Sequence, residues 1–155
     1  MMDWKLTSTA FAAGERIPAQ YTGDGQSLSP PLAWTAPPVG AQELILICDD
    51  PDASRGTFNH WLLYGLSPQA TSLPEGLPPQ PTLEQPACRQ GVSGAGRVGY
   101  VGPAPPPGKP HRYQFTLYAL SAPSGLPPGA SKPQVESALA DKVLAQTTLE
   151  GLYGR

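Results

Sequence analysis

The chain reads as a mainly β protein, a β-sandwich with one helix near its C-terminus, and three observations predict this. Aliphatic and aromatic residues concentrate in three short runs, residues 43–49, 58–66 and 111–120, separated by segments rich in Pro and Gly. A run that is apolar throughout or alternates with period two is a strand signal, and only one stretch has helical spacing. Pro and Gly number 21 and 17 of 155 residues, enough to supply ordered connections between many short strands.

Taken in chain order, Leu44, Ile45, Leu46 and Ile47 are uniformly apolar, as a central strand covered on both faces would be. Phe58 to Tyr64 follows, with Phe58, His60, Leu62 and Tyr64 expected on one face and Asn59, Trp61 and Leu63 on the other. His111 to Ala119 alternates cleanly, so His111, Tyr113, Phe115, Leu117 and Ala119 should face the core while Arg112, Gln114, Thr116 and Tyr118 face away. Residues 74–86, 102–110 and 121–133 read as proline-stiffened loops. Ser131 followed by Gln134 has the form of a capping box, and Val135, Ala138, Leu139 and Val143 recur at helical spacing, which predicts a helix over 132–146. Residues 147–153 return to β-type composition and add a last strand. One domain spanning 1–155 is expected from the length.

Composition narrows the function. With a formal net charge of -2, 14% charged residues and no basic run, the chain lacks the footprint of a nucleic-acid binder. No stretch approaches the length of a membrane span, and the start Met1-Met2-Asp3-Trp4-Lys5 has no basic segment followed by an apolar one, so a cytoplasmic location is expected. Cys48 and Cys88 show no CxxC or Cys/His spacing. No cofactor and no metal is expected.

Asp49-Asp50-Pro51-Asp52 emerges where the apolar run meets a proline-fixed turn, where taken alone it suits turn chemistry first and the rim of a site second. The only two histidines, His60 and His111, both fall near strand ends at core-facing positions. Taken singly each suits a structural role, but two imidazoles at one cavity offer N–H donors to a phosphate or carboxylate oxygen, with a carboxylate to fix their tautomers. Arg112 should point away from His111 and either pair with an aspartate or meet solvent.

The segments DDPDAS with FNHW, and GPAPPPGKPHRYQFTLYAL, resemble the two signature regions of the phosphatidylethanolamine-binding family. SPPLAW at 29–34 and LEGLYGR at 149–155 are similar to its bacterial Raf-kinase-inhibitor-like branch. The resemblance implies an antiparallel Greek-key β-sandwich with few short helices. It assigns ligand contact to Asp50, His60, Gly102, Pro103, His111 and Tyr113, with Asp52 and Arg112 as a supporting pair. Ser54 and Ala104 stand where the family usually has proline and cysteine. The expected function is binding of a small anion, a phosphoryl head group or carboxylate, without catalysis. The alternatives are a protein-interaction module that inhibits a protease or kinase and, third, a metal- or Asp/His-dependent hydrolase. A homodimer is a further implication of the resemblance.

Overall fold

A computed structural model describes residues 4–155. Its strands are β1 (Leu6–Thr7), β2 (Leu32–Trp34), β3 (Glu43–Asp50), β4 (Phe58–Leu66), β5 (Ser72–Leu73), β6 (Thr82–Glu84), β7 (Ala87–Gln90), β8 (His111–Leu120) and β9 (Val143–Tyr153). The helix α1 covers Lys132–Leu139, and a single 3-10 turn covers Ala19–Tyr21. Two antiparallel sheets result, β1-β2-β5 and β6-β7-β4-β3-β8-β9. The return of β8 to lie beside β3, after β4 and β7 have stacked on β3's other side, is the Greek-key connection.

β3 is covered on both faces, which explains its unbroken apolar run. Leu44, Leu46 and Cys48 join Trp61, Leu63, Phe115 and Leu117 in the layer between the sheets, closed by Leu6, Leu32, Trp34 and Leu73 of the small sheet. Ile45 and Ile47 point the other way, into a second cluster with Leu62, Tyr64, Leu126, Val135 and Ala138 under α1. Cys48 and Cys88 are unpaired and buried.

Three expectations need correction. The helix stops at Leu139 rather than 146, although its capping box is present, with Gln134 N–H donating to Ser131 Oγ and Ser131 N–H donating to Gln134 Oε1. Asp141 turns the chain with a φ of 60°, and Val143 then opens an 11-residue strand that pairs with β8 from Leu120 to His111. A long β8 with an open edge gains more from a complete ladder than the segment gains from another helical turn, so tertiary pairing overrides the local spacing. The loop expected over 74–86 contains β6, and β7 with Cys88 follows it directly. The third correction concerns the face of β4. Cys48 pairs with Trp61 but Asp49 pairs with Asn59, which leaves His60 as the extra residue of a β-bulge. The bulge breaks the alternation: Leu62 and Tyr64 stay with the second cluster, while Phe58 and His60 turn toward the end of the sandwich where Tyr113 lies.

Candidate functional site

The last residue of β3, the bulge of β4, the first residues of β8 and the start of the 102–110 loop meet at one end of the sandwich. They enclose a cavity of about 270 Å³. Its polar lining includes Asp50, Ser54, His60, His111 and Tyr113, and Phe58, Val101, Pro105 and Pro106 form apolar walls. The volume lies just under the roughly 300–1,000 Å³ usual for small-molecule sites, so it suits a head group rather than a whole lipid.

Asp50 is the centre of the polar floor. Its side chain is only 5% exposed. Oδ1 accepts the N–H of Asp52 at 2.8 Å, closing an Asx turn over Pro51, and Oδ2 accepts from His111 Nδ1 at 2.7 Å. Turn chemistry and site chemistry therefore use the same carboxylate, one oxygen each. Asp52 is not a lining residue of the cavity. It accepts from the backbone N–H, Nε and Nη2 of Arg112 at 2.8, 3.0 and 2.9 Å, which fixes the start of β8 against the turn. The Arg112 guanidinium holds the Asp52 carboxyl down to about 2.

His60 is held by two bonds. Its Nδ1 donates to the Val101 carbonyl at 2.7 Å, since a carbonyl can only accept, and Val101 N–H donates back to the His60 carbonyl at 2.9 Å. Phe58 and Tyr113 meet the imidazole edge to face, with ring centroids 5.0 and 5.2 Å away. Burial pushes the His60 imidazole below its ordinary value; the Val101 carbonyl, Asp50 and Asp49 oppose this, and His111 adds to it. His111 stacks on Tyr113 at 6.4 Å. The Tyr113 hydroxyl is raised above its ordinary value, chiefly by burial and then by Asp50, so it stays a donor.

Of the residues expected at the site, Asp50, His60, Gly102, His111 and Tyr113 come together around the cavity, and Asp52 with Arg112 forms the pair beside it. Pro103 does not line it: the residue is buried and its carbonyl accepts Gly23 N–H at 2.8 Å. Gly102 lines the wall, but its N–H donates to Ser27 Oγ at 2.7 Å and is not available as a ligand donor. A Cβ there would come within 2.5 Å of Ser27 Oγ and 2.7 Å of the Thr22 carbonyl carbon, so crowding demands glycine. Sequence reasoning missed Phe58 and Ser27 as parts of the site and marked Ser54 only as a departure from the family pattern. Phe58 could have been found only by anticipating the bulge, and nothing in the sequence links Ser27 to Gly102.

Two properties of the arrangement decide its chemistry. No Lys or Arg lines the cavity, and when both imidazoles are neutral its one formal charge is the Asp50 carboxylate. Both Nδ1 atoms are committed to protein acceptors, which leaves the two Nε2 atoms for a ligand. His111 can thus donate to an anion only as an imidazolium, paired with Asp50. Among the described residues, no group of three or more His, Cys, Asp or Glu side chains could hold a metal ion, and no helix is long and apolar enough to cross a membrane.

The family model described as phosphatidylethanolamine-binding protein matches residues 7–154. The chain is 47% identical over 153 residues to a UPF0098 protein of Aquifex aeolicus (strain VF5), covering 97% of this chain and 88% of that one. A solved structure of a phosphatidylethanolamine-binding protein homolog from Chlamydia trachomatis superposes with a TM-score of 0.88 at 35% identity, covering 98% of this chain and 97% of that one. Escherichia coli YbcL, described as a member of the mammalian PEBP family, superposes with a TM-score of 0.91 at 26% identity, covering 99% of each chain.

Proposed function

The chain belongs to the phosphatidylethanolamine-binding protein family, and on that premise we propose that it binds a small oxyanion in the cavity between His60 and His111 without turning it over. The observation that carries this reading is the Asp50–His111 pair: the buried carboxylate holds His111 Nδ1 at 2.7 Å, so Nε2 is the ring atom left for a ligand in a cavity whose apolar walls are Phe58, Val101, Pro105 and Pro106. Tyr113 and Ser54 add hydroxyl donors. Low polarity around the donors strengthens each bond they make, and the small volume limits the ligand to a phosphoryl or carboxylate group with a short substituent.

Calorimetric titration of the protein with inorganic phosphate and with acetate, repeated for His111→Ala, tests the reading. Binding of both anions, lost in the variant while the fold is retained, is the expected result. Unchanged affinity in His111→Ala removes the site.

A further inference from the structure

We propose that the cavity selects an oxyanion that keeps a proton of its own, a phosphomonoester monoanion in preference to a phosphodiester, because His60 presents an acceptor to the ligand where His111 presents a donor. The proposal rests on the reading of this cavity as an anion site and goes on to name the class of anion.

The orientation of the His60 ring is fixed by the protein. Nδ1 donates to the Val101 carbonyl at 2.7 Å and the Val101 N–H answers to the His60 carbonyl at 2.9 Å, so moving the ring proton to Nε2 would set the Nδ1 lone pair against a carbonyl oxygen. Nε2 is then the one polar atom of the ring left without a protein partner among the described residues. It is not sealed in: the buried, unpartnered side-chain atoms among those residues are Asn59 Oδ1 and Arg89 Nε, and the ring lines the cavity.

His60 is also the more enclosed of the two imidazoles. The residue is 5% exposed and wedged edge-on between Phe58 and Tyr113. The titratable groups acting on it are Asp49 and Asp50 from β3 and His111 and Tyr113 from β8, and the Asp50 carboxylate already accepts from His111. Burial is the largest influence on the ring and disfavours its cation. A neutral imidazole with its proton on Nδ1 has a lone pair on Nε2.

The remaining donors do not change the code. The N–H groups of Val101 and Gly102 are spent on the His60 carbonyl and Ser27 Oγ, and the side-chain donors of the lining are the hydroxyls of Tyr113 and Ser54 and the Nε2–H of a cationic His111. A ligand that satisfies this floor accepts at His111 and donates at His60. A phosphomonoester monoanion has both, with ionised oxygens and one P–OH. An ionised phosphodiester has only acceptors and sets an oxygen lone pair against Nε2, the arrangement for which buried polar sites discriminate most strongly.

Wild-type protein and two small probes test this. At about pH 5.5 methyl phosphate and dimethyl phosphate are both monoanions, because the second phosphate proton leaves near pH 6. Calorimetric titration should show methyl phosphate binding at least about tenfold more tightly. At about pH 8, where methyl phosphate has lost its P–OH, that preference should vanish. Nitrogen NMR of the free protein should place the His60 proton on Nδ1. Equal or tighter binding of dimethyl phosphate at the lower pH, or a proton on His60 Nε2, overturns the proposal. If both probes bind equally and both are lost in His111→Ala, the anion site stands and the selectivity falls; if neither probe binds, both fall together.

Discussion

Replacing Asp50 by Asn should uncouple anion binding from proton uptake while leaving the cavity in place. In the wild type, Oδ2 accepts the Nδ1 proton of His111 at 2.7 Å, so Nε2 becomes a donor only when the ring takes up a second proton. Each anion that engages His111 therefore brings one proton with it. On the alkaline limb the dissociation constant should rise tenfold per pH unit, about 1.36 kcal/mol of binding free energy for each. In Asp50→Asn, Oδ1 can still accept the Asp52 N–H, which is held at 2.8 Å in the wild type, and the amide nitrogen takes the place of Oδ2. That nitrogen donates to His111 Nδ1, so the neutral ring must carry its proton on Nε2 and can bind an anion without protonation. The one formal charge among the cavity walls disappears as well. The assay is calorimetric titration with acetate, fully ionised above about pH 6, at a series of pH values up to about 9. The slope of log Kd against pH should approach one for the wild type and fall toward zero for the variant, which binds the more tightly at the alkaline end. Equal slopes in the two proteins, or loss of binding by the variant at every pH with its fold intact, would refute the tautomer reasoning.

Three further outcomes follow from the same geometry. An NMR titration of His60 should give a midpoint below 6.5, since burial lowers it. A depressed histidine leaves the unfolded chain binding more protons, so this group's contribution is complete above 6.5 and is lost as the pH falls toward the folded midpoint; a midpoint at or above 6.5 contradicts the burial argument. Asp52 has the sign of a depressed carboxylate: its contribution is present above 3.8 and lost as the pH falls toward about 2. With the two side chains 30% and 49% exposed, the bare shift is discounted for solvent screening to about 1 kcal/mol. Urea unfolding between about pH 5 and pH 2 should show wild type losing about that much more than Asp52→Asn, and parallel curves would count against the pair. Gly102→Ala should lower stability by about 1–3 kcal/mol, because its Cβ meets backbone atoms of Thr22 and Gly23 at 2.7 and 2.9 Å; an unchanged melting temperature would show that the Ser27 contact gives way freely.

The sequence made the large sheet legible wherever burial obeyed period two. Leu44 to Ile47 named the central strand, and Tyr113 to Ala119 named the core face of β8. It misplaced the faces of β4 because one extra residue at His60 reverses the alternation, and nothing in Phe58-Asn59-His60-Trp61 announces a bulge. The helix end failed for a different reason: Val143 suits either a helix face or a strand, and the choice was made by the open edge of β8. At the site, the resemblance grouped Asp50, His60 and His111, which do line one cavity, but could not say which of their atoms remain free. That depends on Val101, Ser27 and the two oxygens of Asp50, and it makes Gly102 a close-packed wall whose N–H is already engaged. Pro103 sits one residue beyond the wall, with its carbonyl spent on Gly23.

A crystal structure grown with inorganic phosphate near pH 5.5 would show whether both histidines engage one anion. A phosphate should lie in the cavity with oxygens about 2.7–3.2 Å from both His60 Nε2 and His111 Nε2. Phosphate held instead by Lys109 and Arg112 in the neighbouring groove, with nothing between the two histidines, would contradict it.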